Sequence, residues 1–235
     1  MPPSAAVDAR ESACCHTAMR ICVYAASSGK VDPVYLAAAR ELGATLARAG
    51  CTTVYGGGGQ GLMGALADGA IAEGGEVIGI IPKFMVDLEW GHPGVTTLEL
   101  VEDMRERKHR LLTGSDAVIA LPGGCGTLEE LFEAITLKRL GLYFNPIVLL
   151  SVNGFYEGLQ AFMRKVIDER FMNPEHAAMW SMVERVDEVL PVPVRQKQAA
   201  FLPTFSFKVA SAGSSGASAS SAPSAASAMQ VRLLV

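Results

Sequence analysis

The run Leu121-Pro122-Gly123-Gly124-Cys125-Gly126-Thr127-Leu128-Glu129-Glu130 sets three glycines before a helix, with two carboxylates close behind them. Ala117 to Leu121 leads in as an apolar, buried strand, and the glycines let the backbone turn sharply and approach a ligand with no Cβ in the way. The N–H groups at the start of the following helix, expected from about Thr127 to Leu140, suit an anion or a sugar-phosphate. The acids add catalytic capacity to a phosphate-type loop. A second cluster, Gly56-Gly57-Gly58-Gly59-Gln60-Gly61-Leu62-Met63-Gly64, also follows a strand and opens a helix. Lacking a Lys-Ser or Lys-Thr pair, it is not a nucleotide-triphosphatase loop. It reads either as a backbone cradle for one phosphate or as a tight strand-to-helix turn.

Each chemical reading has a structural competitor. Thr127 and Glu130 also fit a capping box, with Thr127 as the N-cap. Glu129 and Glu133 also fit a solvated face shared with Lys138 and Arg139. Met104-Arg105-Glu106-Arg107-Lys108-His109-Arg110 is a basic helix start, which reads as a charged surface. A parallel sheet would nonetheless bring the strand ends before Glu102 and after Leu121 to one edge, where an arginine meets a phosphate or a carboxylate. Cys125 is either small loop filler or a thiol activated by a helix N-terminus, with no histidine evidently placed to serve it. Phe84, Met85 and Trp90 fit a base pocket or ordinary packing.

The elements that would carry these residues alternate strand and helix. Arg20 to Ala25, Thr52 to Tyr55, Glu76 to Ile81, Thr97 to Val101, Ala117 to Leu121 and Pro146 to Ser151 read as strands. Asp32 and Pro33 open a helix that ends before Gly50, and Leu62 to Glu73 form the next, stopped by Gly74-Gly75. Further helices start near Met104, Thr127 and Phe155. Repeated βα units with near-continuous apolar strands predict a Rossmann-like α/β fold, a doubly wound parallel sheet in a single domain over residues 19–192. Ligands on such sheets bind at the carboxyl ends of the strands, where both glycine loops fall. Residues 1–18 and the Ser/Ala-rich stretch 193–235 are expected to be disordered tails.

Of the 235 residues 50% are hydrophobic, enough for a sizeable core, and the formal charge of −4 provides no basic stripe for a nucleic acid polymer or an anionic membrane. No apolar run approaches the roughly 20 residues of a membrane span, and Asp8 and Glu11 precede any hydrophobic stretch, against a secretory signal. A cytosolic (cytoplasmic) protein is expected. The 5 cysteines make no C-x-x-C pair and the 4 histidines are scattered, so neither a disulfide framework nor a catalytic metal is predicted.

Gly56-Gly57-Gly58 with Gly61-Leu62-Met63-Gly64, then Met104-x-x-Arg107-Lys108, then Pro122-Gly123-Gly124-x-Gly126-Thr127-x-x-Glu130 resemble the LONELY GUY family of cytokinin riboside 5'-monophosphate phosphoribohydrolases. The match runs in order across about residues 19–190. It implies hydrolysis of the N-glycosidic bond of an N6-modified adenosine 5'-monophosphate, or of AMP, giving free base and ribose 5-phosphate without a cofactor. By motif position Arg107 and Glu130 match the catalytic pair. Glu89, Lys108, the loop Gly124, Cys125, Gly126, Thr127, Leu128 and Glu129, and Thr136 match ligand-contacting positions. Gly57 and Gly58 of the first loop, and Ser27 and Ser28, are added as substrate-binding candidates. The resemblance further implies a homodimer in which the cleft lies close to the neighbour or is completed by it. The chain departs from the family pattern at Arg105, Cys125 and Ala25-Ala26-Ser27-Ser28, which bears on substrate preference more than on reaction class. A Rossmann-like binder of a phosphorylated ligand, of the molybdenum cofactor carrier kind, is the competing expectation.

Overall fold

Strands that are buried along almost their whole length need cover on both faces, and that requirement organises this molecule. A computed structural model describes residues 18–89 and 91–190. The expected disordered tails, 1–18 but for its last residue and 193–235, and the candidate Trp90 lie outside the described residues. Strands β1 (Arg20–Tyr24), β2 (Thr52–Tyr55), β3 (Val77–Pro82), β4 (Thr97–Val101), β5 (Ala117–Ala120), β6 (Ile147–Leu150) and β7 (Ser181–Val183) form one sheet. Its order is β4-β3-β2-β1-β5-β6-β7, with every pairing parallel. This is the Rossmann-like α/β architecture that the sequence predicts.

Alternation along β1 shows how the two faces are filled. Ile21 and Val23 enter one core with Leu42 and Leu46 of α1 (Pro33–Arg48) and Leu62 and Leu66 of α2 (Gly61–Ala72). Cys22 and Tyr24 point the other way. They pack with Leu111 of α4 (Met104–Leu112) and with Leu131 and Ile135 of α5 (Cys125–Arg139). The edge strands β4 and β7 have no fully buried run, and β7, only 3 residues long, leaves no strand signature in the sequence. Two short helices complete the order: α3 (Lys83–Glu89), also unforeseen, and α6 (Glu157–Asp168), which follows a single helical turn at Val152–Gly154.

Because β1 pairs with both β2 and β5, the connections after β1 and after β5 leave the sheet in opposite directions. A crevice must open there, at the carboxyl ends of the two strands. The crevice is bounded by the Ala25 to Ser28 loop on one side and the Gly123-Gly124 turn on the other.

Candidate active site

The crevice is a cleft of about 260 Å³, lined among others by Ser27, Ser28, Gly56, Met63, Arg107 and Glu130. Gly124, Gly126 and Thr127 complete its wall. Gly124 is the N-cap of α5 in an extended conformation and offers no side chain to its own first turn. The uncapped N-terminal end of α5, with the positive end of the helix dipole, therefore borders the cleft.

Arg107 reaches the cleft from α4, whose start is fixed by the Asp103 carboxylate accepting the Glu106 N–H at 2.8 Å. Its side chain is buried. Arg107 Nε donates to the Ile80 carbonyl at 3.2 Å and Nη2 to the Gly56 carbonyl at 3.2 Å, so the ends of β3 and β2 hold the guanidinium in one orientation. Gly56 is required by this contact, since a Cβ there would fall 2.2 Å from Arg107 Nη2. The remaining nitrogen, Nη1, faces Glu130 Oε1 at 3.8 Å, an ion pair rather than a hydrogen bond. Burial pushes the Glu130 carboxyl up to about 7, against the pull of Arg107. A carboxyl poised near neutrality in a cleft, facing a fixed cation, suits a group that stabilises developing positive charge or moves a proton.

Residues 63–192 match the family model described as "Possible lysine decarboxylase". Cytokinin riboside 5'-monophosphate phosphoribohydrolase LOG1 of Arabidopsis thaliana is 44% identical over 155 residues, 66% of this chain and 73% of that protein. The chain belongs to the LONELY GUY family. Probable cytokinin riboside 5'-monophosphate phosphoribohydrolase LOGL9 of Oryza sativa subsp. japonica is 39% identical over 180 residues, covering 74% of this chain and 79% of the relative. Among solved structures, the molybdenum cofactor carrier protein of Chlamydomonas reinhardtii aligns at a TM-score of 0.60 and 20% identity, over 77% of this chain and 99% of that one. This last likeness shows the shared fold alone.

The site residues expected from the sequence and from the LONELY GUY motifs do not all meet at the cleft. Ser27, Ser28, Arg107, Gly124, Gly126, Thr127 and Glu130 do. Gly57 and Gly58 are buried beneath the segment after α3, where Gly57 O accepts the His92 N–H at 3.0 Å and Gly58 pairs with Gly91. Lys108 Nζ is bonded to Glu129 Oε1 at 2.6 Å. Cys125 is exposed at the first residue of α5, and Leu128 packs against the Cys22 and Tyr24 core. Thr136 is exposed, nine positions beyond Thr127 and about 13 Å away at the helical rise. Glu89 closes α3, and its side chain is outside the described residues.

Two competing expectations are corrected. The capping box fails because α5 starts two residues before Thr127, with Gly124 as its N-cap. Thr127 is instead folded back over Gly123, whose added Cβ would lie 2.1 Å from Thr127 Oγ1, and Glu130 is released from any capping duty. Glu129 and Glu133 do not share a face with Lys138 and Arg139; they hold Lys108, while Lys138 Nζ donates to the Asn145 carbonyl at 2.7 Å. Among the described residues, no group of three or more His, Cys, Asp or Glu is placed to hold a metal ion.

Sequence reasoning missed Val23, Ala25, Ala26, Gly56 and Met63 as cleft residues. For Val23, Ala25 and Ala26 the signal is strand order: β1 and β5 become neighbours only in the sheet, where Tyr24 pairs with Ala120, 96 positions on.

Proposed function

We infer that this LONELY GUY protein hydrolyses the N-glycosidic bond of cytokinin riboside 5'-monophosphates, releasing the free base and ribose 5-phosphate, and that AMP is also a substrate. One observation carries the mechanism: the buried Arg107 and Glu130 face each other at 3.8 Å beside the uncapped start of α5. The C1'–N9 bond breaks with its electron pair leaving on the base, and the sugar passes through an oxocarbenium-like state. The Glu130 carboxylate stabilises that cation and takes a proton from the water that attacks C1', and a proton from solvent neutralises the departing base. The planar Arg107 guanidinium, fixed by two carbonyls, orients the sugar-phosphate beside Glu130. The N–H groups of Cys125, Gly126 and Thr127, with Ser27 and Ser28, receive the phosphate.

The ligand-contacting roles of Glu89, Lys108, Leu128, Glu129 and Thr136 belong to the same proposal, as does a phosphoribohydrolase unit over residues 19–192 acting in the cytosol without a cofactor. Thr136 is remote from its own cleft, so its role requires a second copy of the chain. The exposed apolar side chains Phe84, Leu88 and Leu100 support a homodimer. No helix among the described residues is long and apolar enough to cross a membrane.

The deciding experiment incubates the protein with isopentenyladenosine monophosphate, AMP and the nucleoside isopentenyladenosine, and separates the products by chromatography. Both monophosphates should yield free base and ribose 5-phosphate, with the nucleoside cleaved far more slowly because it leaves the α5 start unused. Binding of the monophosphates without release of base would return the chain to the carrier reading. Equal turnover of nucleoside and nucleotide would remove the phosphate from the site.

A further inference from the structure

Glu129 and Glu133 stand one turn apart on α5, a spacing at which like charges on a helix repel. One cation from another helix settles between them. Lys108 Nζ of α4 lies 2.6 Å from Glu129 Oε1 and 3.3 Å from Glu133 Oε2, with its side chain only 19% exposed. Lys108 follows Arg107 directly and Glu129 precedes Glu130 directly. The bridge between the helices therefore sits one residue over, on each, from the pair that faces the cleft.

That placement matters because Arg107 and Glu130 do not fix each other. At 3.8 Å they share no hydrogen bond, and both guanidinium anchors, Ile80 O and Gly56 O, belong to the sheet side rather than to α5. The Lys108 bridge is a direct polar link from the helix that carries Arg107 to the helix that carries Glu130. We propose that Glu133, outside the glycine-threonine motif, is a positioning residue: with Glu129 it grips Lys108 and holds α5 against α4 at the spacing the reaction requires. The part of this that concerns the reaction rests on the function proposed above.

The charged and titratable groups that act on Glu130 are Arg107 and Lys108 from α4, Glu129 and Glu133 from its own helix, and Cys22 and Tyr24 from β1. The cations favour its ionised form and the acids oppose it. Neutralising the two ends of the bridge must therefore move the Glu130 titration in opposite directions. These shifts report the charges themselves; a bridge that served stability alone would lower the melting temperature and leave kcat at the wild-type value.

The test compares full-length wild type, Glu133→Gln, Glu133→Asp and Lys108→Met, with Glu130→Gln used to assign the carboxyl signal. Carbon-13 NMR follows the Glu130 titration, and steady-state kinetics with isopentenyladenosine monophosphate gives kcat and KM. Glu133→Gln should lower the midpoint by about 0.5 and Lys108→Met should raise it by about 0.5, less than a fully buried neighbour would cause because these groups reach solvent. In Glu133→Gln, kcat should fall about 3- to 10-fold with KM changed less than about 2-fold, as expected of a displaced catalytic group, and Glu133→Asp should recover part of the loss. Wild-type kcat in Glu133→Gln with unmoved midpoints would overturn the proposal, as would a lower melting temperature as the only change. A wild type that releases no base would remove the function proposed above, whereas base release with wild-type kcat in Glu133→Gln would remove the positioning alone.

Discussion

The two glycine loops read alike, each a run of glycines between a buried strand and a helix, yet they spend their glycines in different ways. In the first loop the missing side chains make room for the protein itself. A Cβ on Gly61 would lie 2.5 Å from the Ser27 carbonyl, one on Gly64 would lie 2.3 Å from the Gly59 carbonyl, and one on Gly56 would strike Arg107. The start of α2 is also occupied, since Met63 N–H donates to the Ala26 carbonyl at 3.2 Å. In the second loop Gly124 and Gly126 have nothing within 4 Å of where a Cβ would stand. The first loop is a packing joint that braces the Ser27-Ser28 wall and Arg107, while the second packs only Gly123, against Thr127, and leaves Gly124 and Gly126 open on the cleft. A glycine run after a strand therefore signals close approach, and only the surroundings say whether chain or ligand makes it.

The largest expected effect tests the open loop through the carboxylate it presents. Glu130→Gln keeps the shape of the side chain and removes its charge, and the corrected start of α5 leaves it no cap to break. A loss of about a hundredfold or more in kcat is expected, the scale of one electrostatic contact made in the transition state, with a melting temperature at or above wild type. Near wild-type turnover would make the second loop a binding surface only and erase the chemical half of the contrast.

The next effect separates the loops directly. Gly64→Ala should cost about 1–3 kcal/mol of stability, because its Cβ meets backbone that cannot yield without moving the loop. Gly126→Ala should leave the melting temperature unchanged or slightly raised, since alanine suits a helix better than glycine does. Its methyl group would nonetheless stand in the phosphate path and raise KM about tenfold. Thermal melts and steady-state kinetics on the two variants check both halves. A destabilised Gly126→Ala, or a stable but slow Gly64→Ala, would show that the loops are not divided in this way.

The sequence carries the strand and helix alternation plainly because β1, β2, β3, β5 and β6 are short apolar runs and the helices have clear starts and stops. It also carries Arg107 and Glu130, through motif spacing. It does not carry the start of α5, where an extended glycine N-cap replaces the expected threonine and leaves no side-chain signature. Nor does it carry the fate of the first loop. Gly57 and Gly58 read as a cradle, but the backbone pairing with Gly91 and His92 that buries them joins segments whose meeting depends on how the chain after α3 returns over the sheet. The cleft residues Val23, Ala25 and Ala26 are small and apolar, indistinguishable from core until strand order places them at the β1/β5 crevice.

The smallest effect is a pH dependence that sets the open site against the rest of the fold. With the Glu130 carboxyl raised to about 7 by burial, and the carboxylate as the working form, kcat/KM should rise with pH through about 7. At pH 7 roughly half of the plateau value is expected, so the change in activity is only about twofold there. Stability must run the other way. A carboxyl whose folded value lies above its ordinary 4.5 contributes stability that is fully present below that ordinary value and is lost as pH rises through about 7. The loss is on the order of 3 kcal/mol for a group so little exposed. Urea melts at pH 5 and pH 8 should show it in wild type, and Glu130→Gln should flatten the slope because its amide has no proton to lose. A flat wild-type stability profile together with a rising activity profile would place the titrating group elsewhere, and would leave the first loop and the second loop equally uninvolved in setting the working pH.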